Sequence, residues 1–470
     1  MKNIYVIGAG LAGSEAAFQI AEAGLPVTLY EMKPQKYSPA HHSPYFAELV
    51  CSNSLRSNLL ENAVGVLKQE LRYQKSLIMA SADMHHVPAG GALAVDRDGF
   101  ANTITETLKN HPLITVKNEE IKNLNKFNLQ EDYVLIATGP LTSEDLFQAL
   151  KSFLDEEDLY FFDAVAPIIE SESIDSNITF RASRYDKGEG EYINCPFSKE
   201  EYEQFYEELV HADTVPINEV DDLKLFQGCM PIEEIARQGK ETLLFGPLKP
   251  VGLIDPRTGK QPYAVVQLRQ DNHAASLFNL VGFQTRLKWN EQKRVFHLIP
   301  GLENAVFERY GVMHRNTYIN SPNHLNLGYQ HKVYEHLYFA GQITGVEGYV
   351  ESVGSGLVAA KTLINHIKQE KQQNYTEQLY LNPETMLGGL AHYVISADSN
   401  HFQPMNANFG LVPELKSSER NLLKQKFKIE EKGRRGRRLV YSYRALSHYP
   451  EWMSENNYKF ENQINEIEPR

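Results

Sequence analysis

Asn3 to Glu31 reads NIYVIGAGLAGSEAAFQIAEAGLPVTLYE, and the order of residue types in this stretch decides the fold. Ile4 to Ile7 form an apolar run that predicts a strand, and Gly8, Gly10 and Gly13 follow it directly as G-x-G-x-x-G. The small-residue stretch after them predicts a helix opened by Ser14 and Glu15 and closed by Gly24. Leu25 to Tyr30 supply a second strand, and Glu31 stands at its end. Glycines here let the backbone turn tightly and approach a pyrophosphate, while the free amides and positive dipole end of the helix favour an anion. A terminal carboxylate in that position can accept bonds from ribose hydroxyls. Gly8, Ala9, Gly10, Leu11, Ala12, Gly13 and Glu31 are therefore candidate dinucleotide-binding residues. Taken alone, the motif is compatible with either NAD or FAD.

Beyond Glu31, Pro34, Pro39 and Pro44 forbid a long helix and predict an extended loop with Cys51 near its end. Asn58 to Leu77 read as a helix, with Leu59, Leu60, Val64, Leu67 and Leu71 on one face. VPAGGALAVDRDGFANTITETL predicts a turn, a short strand and a helix, and HPLITVKNEEI a further strand. Tyr133 to Ala137 form a β-type run ending at Thr-Gly-Pro, which suits the edge of a nucleotide domain.

From about Tyr160 the pattern alternates as in antiparallel strands, which predicts an inserted α+β substrate domain. Ser198 to His211 is its predicted helix, and the acidic stretch Glu219 to Leu225 is expected at the surface. Strand-helix texture returns in HLYFAGQITGVEGYVESVGSGLVAAKTLINHI, with a helix expected from near Gly348. Gly341, Gln342 and the glycines at 345, 348, 354 and 356 mark a second corner against the nucleotide, so the nucleotide domain is discontinuous. Lys368 to Gln378 reads as a polar linker or helix end, and the last hundred residues as mainly helical. Leu422 to Leu439 contains Lys432, Arg434, Arg435, Arg437 and Arg438, the densest basic run, for which a solvated surface is the plainer reading and phosphate contact the sharper one.

The 470 residues carry a net charge of −13, which argues against a globally basic nucleic-acid binder without excluding a local basic patch. No apolar run is long enough for a membrane span and no signal-like segment is present, so a soluble cytoplasmic protein is expected. Three widely spaced cysteines make neither a disulfide framework nor a metal pair. Cys51, among Ser52, Asn53, Ser54 and Arg56, and Cys229, between Gly228 and Pro231, are the candidates for thiolate chemistry; the aromatic neighbours of Cys195 point to packing. Adjacent histidine pairs are poor chelators and no zinc spacing occurs, so no metal is expected. Signatures of a nucleophile elbow or an NTPase phosphate loop are absent.

Longer strings are more specific than the glycine fingerprint. GAGLAGSEAA, LYEMKP, PAHHSPYFAELVCSNSLRSN, VPAGGALAVDRDGF, FQGCMPIEEIARQG, LLFGPLKPVGL, GFQTRLKWNEQKRVFHLIPGLE, RYGVMHRNTYINSP, GQITGVEGYVES and HFQPMNANFGL together resemble the folate- and FAD-dependent tRNA (uracil-5-)-methyltransferases. The resemblance runs from Gly8 to about Leu411. It implies FAD at the first fingerprint, a methylene group from 5,10-methylenetetrahydrofolate, NADH or NADPH as electron source, and 5-methyluridine in the tRNA T loop as product. It further implies that Cys229 adds to uracil C6 and that Cys51 is the acid/base near the flavin. Ala9 replaces a glycine usual in the family's fingerprint, ESVGSGLVAA replaces a more alanine-rich string, and the chain after Leu411 diverges more.

Relatives that modify 23S rRNA make that RNA the alternative substrate. Two further readings are a small-molecule FAD oxidoreductase and an RNA-binding flavoprotein without catalysis. The flavoproteins that modify the tRNA wobble uridine share the fingerprint, but FAELVCSNSL and FQGCMPIEE favour the methyltransferases. The expected architecture is an α/β, Rossmann-like FAD-binding domain in two parts, 1–159 and 330–380, interrupted by an inserted domain at 160–329 and followed by a mainly helical region at 381–470.

Overall fold

The computed structural model describes residues 2–38, 40–155, 159–164, 166–186, 191–215, 230–272, 274–311, 313–372 and 379–457. The chain opens with β1 (Ile4–Ile7), α1 (Leu11–Glu22) and β2 (Val27–Glu31), as the opening motif predicts. Next come β3 (Ser54–Ser57), α2 (Ala63–Tyr73), α3 (Leu77–Met84), β4 (His86–Val87), β5 (Ala92–Val95) and α4 (Arg97–Asn110). The helix expected from Asn58 thus begins five residues later and is broken in two. β3 and a turn occupy the chain up to Asn62, leaving Leu59 43% exposed where a core position was expected, whereas Val64, Leu67 and Leu71 are buried. The first piece ends at Tyr73, and Ser76 caps the second by accepting from the Met79 amide at 3.2 Å.

β6 (Ile114–Asn118), β7 (Tyr133–Ile136) and α5 (Glu144–Leu154) complete the first block. After it come β8 (Leu159–Ala164), β9 (Ile168–Glu170), β10 (Phe180–Arg181), β11 (Tyr192–Phe197), α6 (Lys199–His211), α7 (Ile232–Arg237) and α8 (Thr242–Phe245). α6 carries a full capping box between Ser198 and Glu201, which explains why it starts where the sequence places it. β12 (Ala264–Gln270), β13 (Leu277–Leu280), α9 (Trp289–Phe296), β14 (Phe307–Arg309), β15 (Met313–Tyr318) and α10 (Ser321–His324) follow. The chain closes with β16 (Leu337–Phe339), α11 (Tyr349–Glu370), α12 (Met386–Ser396), α13 (Ser417–Lys426), α14 (Gly433–Leu446) and α15 (Pro450–Glu455).

The nucleotide-type sheet is parallel throughout, in the order β16-β7-β1-β2-β6. β16, two hundred residues further on, pairs outside β7 through Leu337↔Val134 and Phe339↔Ile136. Strand order reverses between β1 and β7, and ligands of open α/β sheets bind outside the strand ends at such a point. The second sheet, β10-β11-β12-β13-β9-β14, is antiparallel. The expected α/β architecture with an inserted α+β region rich in antiparallel strands is the one found.

Apolar side chains gather in two main cores. One combines residues between Ile4 and Leu154 with residues between Ile319 and Met453, so the C-terminal helices share the core of the parallel sheet. The other is drawn from Ala166 to Ala305. α11 lies along α1 closely enough that a Cβ on Gly356 would stand 2.3 Å from the Ala12 carbonyl oxygen, which is why a glycine sits there. The acidic stretch at 219–225, Cys229 and residues 373–378 of the polar linker lie outside the described residues. Among the described residues no helix is long and apolar enough to cross a membrane.

Candidate active site

The strand ends of β1, β2 and β7 and the corner after β16 enclose a cleft of about 1080 Å³, counting its open mouth. Gly8, Ala9, Gly10, Leu11, Ala12, Glu31, Gly341 and Gln342 all line it. Gly13 stands beneath it: a Cβ there would lie 1.8 Å from the Gly8 carbonyl oxygen, so the residue lets α1 pack on the turn. Gly8 has φ +97°, and a Cβ would meet the Ala137 carbonyl oxygen at 2.7 Å. Gly10 differs, since a Cβ on it would meet no protein atom within 4 Å. Its open side gives a phosphate room to approach the backbone, at the N-terminus of a helix that no side chain caps. These features fit the pyrophosphate of a dinucleotide.

Glu31 is buried, and each of its oxygens already accepts a backbone amide: Ala9 at 2.8 Å and Lys33 at 2.9 Å. The carboxylate therefore holds the glycine turn in shape, with lone pairs left for ribose hydroxyls. Against Ala12, whose Cβ would lie 3.0 Å from a Cβ at position 341, Gly341 adopts φ +82° and donates to Ser355 Oγ at 2.7 Å, which fixes the corner that carries Gln342.

A second cleft, of about 1180 Å³ with its open mouth, contains Cys51. Val50, Pro140, Gln342 and Tyr349 line both clefts, so the thiol and the dinucleotide cradle share a wall. Cys51 is half-buried, on a loop gripped from several directions. The Tyr349 phenol oxygen accepts the Cys51 amide at 2.7 Å and the Ser52 amide at 3.3 Å. Arg97 donates to the Leu49 carbonyl and, at 3.3 Å, to the Cys51 carbonyl, while Arg309 donates to the Val50 carbonyl at 2.6 Å. Arg269 reaches Ser52 Oγ and, at 3.1 Å, Asn53 Oδ1; Asn53 in turn donates to the carbonyls of Val95 and Gln270, at 3.0 and 2.9 Å.

Three guanidinium groups thus converge on the loop, and a negative sulfur at Cys51 favours the charge of each. Burial opposes the charge on Arg97, yet the Asp271 carboxylate at 2.9 Å outweighs it and holds Arg97 above its ordinary value. Arg269 and Arg309 lie below theirs, chiefly through burial. Burial, reinforced by Cys51, pushes the Tyr349 phenol up, so it remains a neutral group.

Cys195 lies in the second core, fully enclosed, and burial pushes its thiol up, in keeping with the packing role expected for it. Sequence reasoning did not single out Arg97, Arg269, Arg309 or Tyr349. One signal was present: Arg269 interrupts AVVQLRQ, a strand whose every residue is buried, and a buried arginine requires partners. Away from both clefts, His336, His366 and Glu370 bring their ligand atoms within 4.8 Å of one another, with Lys2 Nζ 3.1 Å from His336 Nε2 and 2.7 Å from Glu370. The lysine supplies the cation for that carboxylate.

A parallel sheet in the order β16-β7-β1-β2-β6, a glycine-turn cradle and a thiol cleft on its wall define a dinucleotide-binding α/β protein with an inserted domain. The crystal structure of Aquifex aeolicus GidA has this fold, with a TM-score of 0.63 at 14% identity over 97% of this chain and 88% of that one. The family model described as Glucose inhibited division protein A matches residues 3–371. Over 445 residues, 95% of this chain and 99% of the other, the chain is 57% identical to the methylenetetrahydrofolate--tRNA-(uracil-5-)-methyltransferase TrmFO of Exiguobacterium sp.. It is 59% identical to the protein of the same name from Enterococcus faecalis over 88% of this chain and 93% of that one. The chain belongs to this TrmFO family within the GidA group.

Proposed function

We propose that the two clefts are halves of one active site, in an enzyme that transfers a methylene group from 5,10-methylenetetrahydrofolate to C5 of a tRNA uridine and reduces it to a methyl. The enzyme is an FAD- and folate-dependent tRNA (uracil-5-)-methyltransferase, as its family implies. The observation that carries the active-site reading is the shared wall, which brings Cys51 beside the cradle that would hold FAD. Gly8 to Ala12 and the α1 N-terminus would hold the pyrophosphate, Glu31 the ribose, and Gly341 and Gln342 the far side of the cofactor. When bound, FAD supplies electron and one-carbon chemistry that side chains lack.

The chain's own residues do the rest. Cys229 Sγ adds as thiolate at uracil C6, which puts electron density on C5, and that C6–S bond breaks again at the end. Cys51 takes the C5 proton once C5 has gained its carbon. Arg97 and Arg309 hold the Cys51 loop by its carbonyls, and Tyr349 holds it by its amides. NADH or NADPH is the proposed reductant, the T-loop uridine the proposed target, and 23S rRNA the alternative RNA. The division at 1–159, 160–329, 330–380 and 381–470 is proposed, with the separate core drawn from Ala166 to Ala305 supporting the insertion alone, and a cytoplasmic location is proposed on the nature of the substrate.

Release of tritium from 5-tritiated uridine transcripts tests the reading. Wild type should release it from tRNA only with methylenetetrahydrofolate and a reduced nicotinamide present, and Cys51→Ala and Cys229→Ala should each abolish product. No release from either tRNA or 23S fragments would overturn it.

A further inference from the structure

One charged surface has no part in either cleft. Between Lys416 and Arg438 stand ten lysines and arginines against three glutamates, in a chain whose net charge is −13. Lys424 and Lys426 close α13, Lys428 and Lys432 lie on the connection, and α14 opens with Arg434, Arg435, Arg437 and Arg438. The fold holds this strip rigidly. Phe427 packs edge-on against both Tyr443 and Trp452, with centroids 5.7 Å apart in each case, and Gly436, Leu439 and Val440 turn the inner face of α14 into the core. A Cβ on Gly436 would fall 1.9 Å from the Glu431 carbonyl oxygen, so the first turn of α14 sits directly on the incoming chain.

The apolar face being consumed, the charges point outward. Lys428, Lys432, Arg434, Arg435 and Arg437 are exposed. Arg435 pairs with Glu61 at 2.8 Å, and among the described residues Lys428, Lys432, Arg434 and Arg437 have no carboxylate partner. Ser442 Oγ donates to the Leu60 carbonyl at 2.5 Å, so α14 is pinned to residues 60–61. Five residues earlier, Arg56 lines the mouth of the Cys51 cleft, and five residues of chain span at most ~18 Å.

We propose that this strip is the surface on which the phosphate backbone of the RNA substrate docks, delivering the target loop to the mouth beside Arg56. The inference rests on the reading that the substrate is tRNA. Charge without aromatic side chains to stack on bases gives affinity and orientation, not sequence choice. An acidic lipid surface fits less well, because an interfacial helix needs an exposed apolar face: that of α14 is buried, and α13 offers Leu422 alone as an exposed large apolar side chain.

The test uses the flavin-loaded full chain and the variant Lys432→Gln/Arg434→Gln/Arg437→Gln, glutamine being as good a helix former as those residues. The Kd for an unmodified tRNA transcript should rise at least about tenfold, and the slope of log K against log salt should flatten by about 2 to 3. KM for tRNA should rise in parallel, with KM for methylenetetrahydrofolate, flavin content and melting temperature unchanged. If the triple variant melts early, Arg434→Gln/Arg437→Gln is measured in its place, with a slope change of about 2 expected. An unchanged salt slope overturns the inference, as does loss of binding to phosphatidylserine vesicles with tRNA binding intact. Should wild type bind tRNA without methylating it, the proposed function fails, while the salt slope still decides the docking surface.

Discussion

Tyr349 holds Cys51 from behind: its phenol oxygen accepts the Cys51 amide at 2.7 Å and the Ser52 amide at 3.3 Å. Tyr349 is the first residue of α11, so the helix that packs along α1 also sets the position of the thiol loop. Tyr349→Phe keeps the ring and removes the acceptor, which strands two amides. The expected cost is about 1–3 kcal/mol of stability by urea denaturation. Methyl transfer should fall about 10- to 100-fold through misplacement of Cys51. A kcat equal to wild type would show that the phenol does not position the thiol.

Arg97 and Asp271 form the buried ion pair that clamps the same loop to the antiparallel sheet, with Nε to Oδ2 at 2.9 Å and Nη2 to Oδ1 at 3.2 Å. Removing one partner of a buried pair leaves an uncompensated charge, so Asp271→Asn should cost about 3 kcal/mol. Arg97→Lys retains the charge but cannot reach Asp271, Leu49 and Cys51 together, and should lose activity more than stability. A double-mutant cycle on Arg97→Met and Asp271→Met checks the pairing; additive losses would mean that the two residues act independently.

The cradle glycines separate packing from ligand space. Gly13→Ala drives a methyl into the Gly8 carbonyl and should destabilise the protein by about 1–3 kcal/mol. Gly10→Ala meets no protein atom within 4 Å, and its φ of −72° suits alanine. Its flavin-free form should melt within about 0.5 kcal/mol of wild type, whereas its flavin absorbance should fall. Full flavin content in Gly10→Ala would place the pyrophosphate elsewhere.

The elements that could be read from the sequence are those whose cause is local. Ile4 to Ile7, the three glycines and α1 follow from residue type and spacing, and Ser198 with Glu201 states the start of α6. Where tertiary contacts decide, reading failed. Leu59 has the spacing of a core residue, yet β3 pairs with β5 just before it and delays the helix. β16, two hundred residues later in the chain, pairs outside β7, a partner that nothing near Tyr133 announces. That Gly8 to Ala12 and Glu31 line one cleft follows from the same local pattern. The arginines around Cys51 come from α4, β12 and β14, and no local pattern joins those segments.

Glu70 ties α2 to the C-terminal helices, its two oxygens accepting the Met386 and Leu387 amides at the start of α12 at 2.8 and 2.9 Å. Burial pushes its carboxyl up to about 7, against the pull of those two amides, from 4.5 for the free side chain. Between these values the folded chain binds a proton that the unfolded chain releases, so this contribution to stability is complete below about pH 4.5 and is lost as the pH rises through about 7. The full span is worth up to about 3 kcal/mol. Wild type should therefore lose melting temperature from pH 5 to pH 8 relative to Glu70→Gln, which has no proton to exchange there. Two melting curves that keep a constant separation over that range would show that Glu70 titrates normally and that its enclosure by α12 is looser than the geometry indicates.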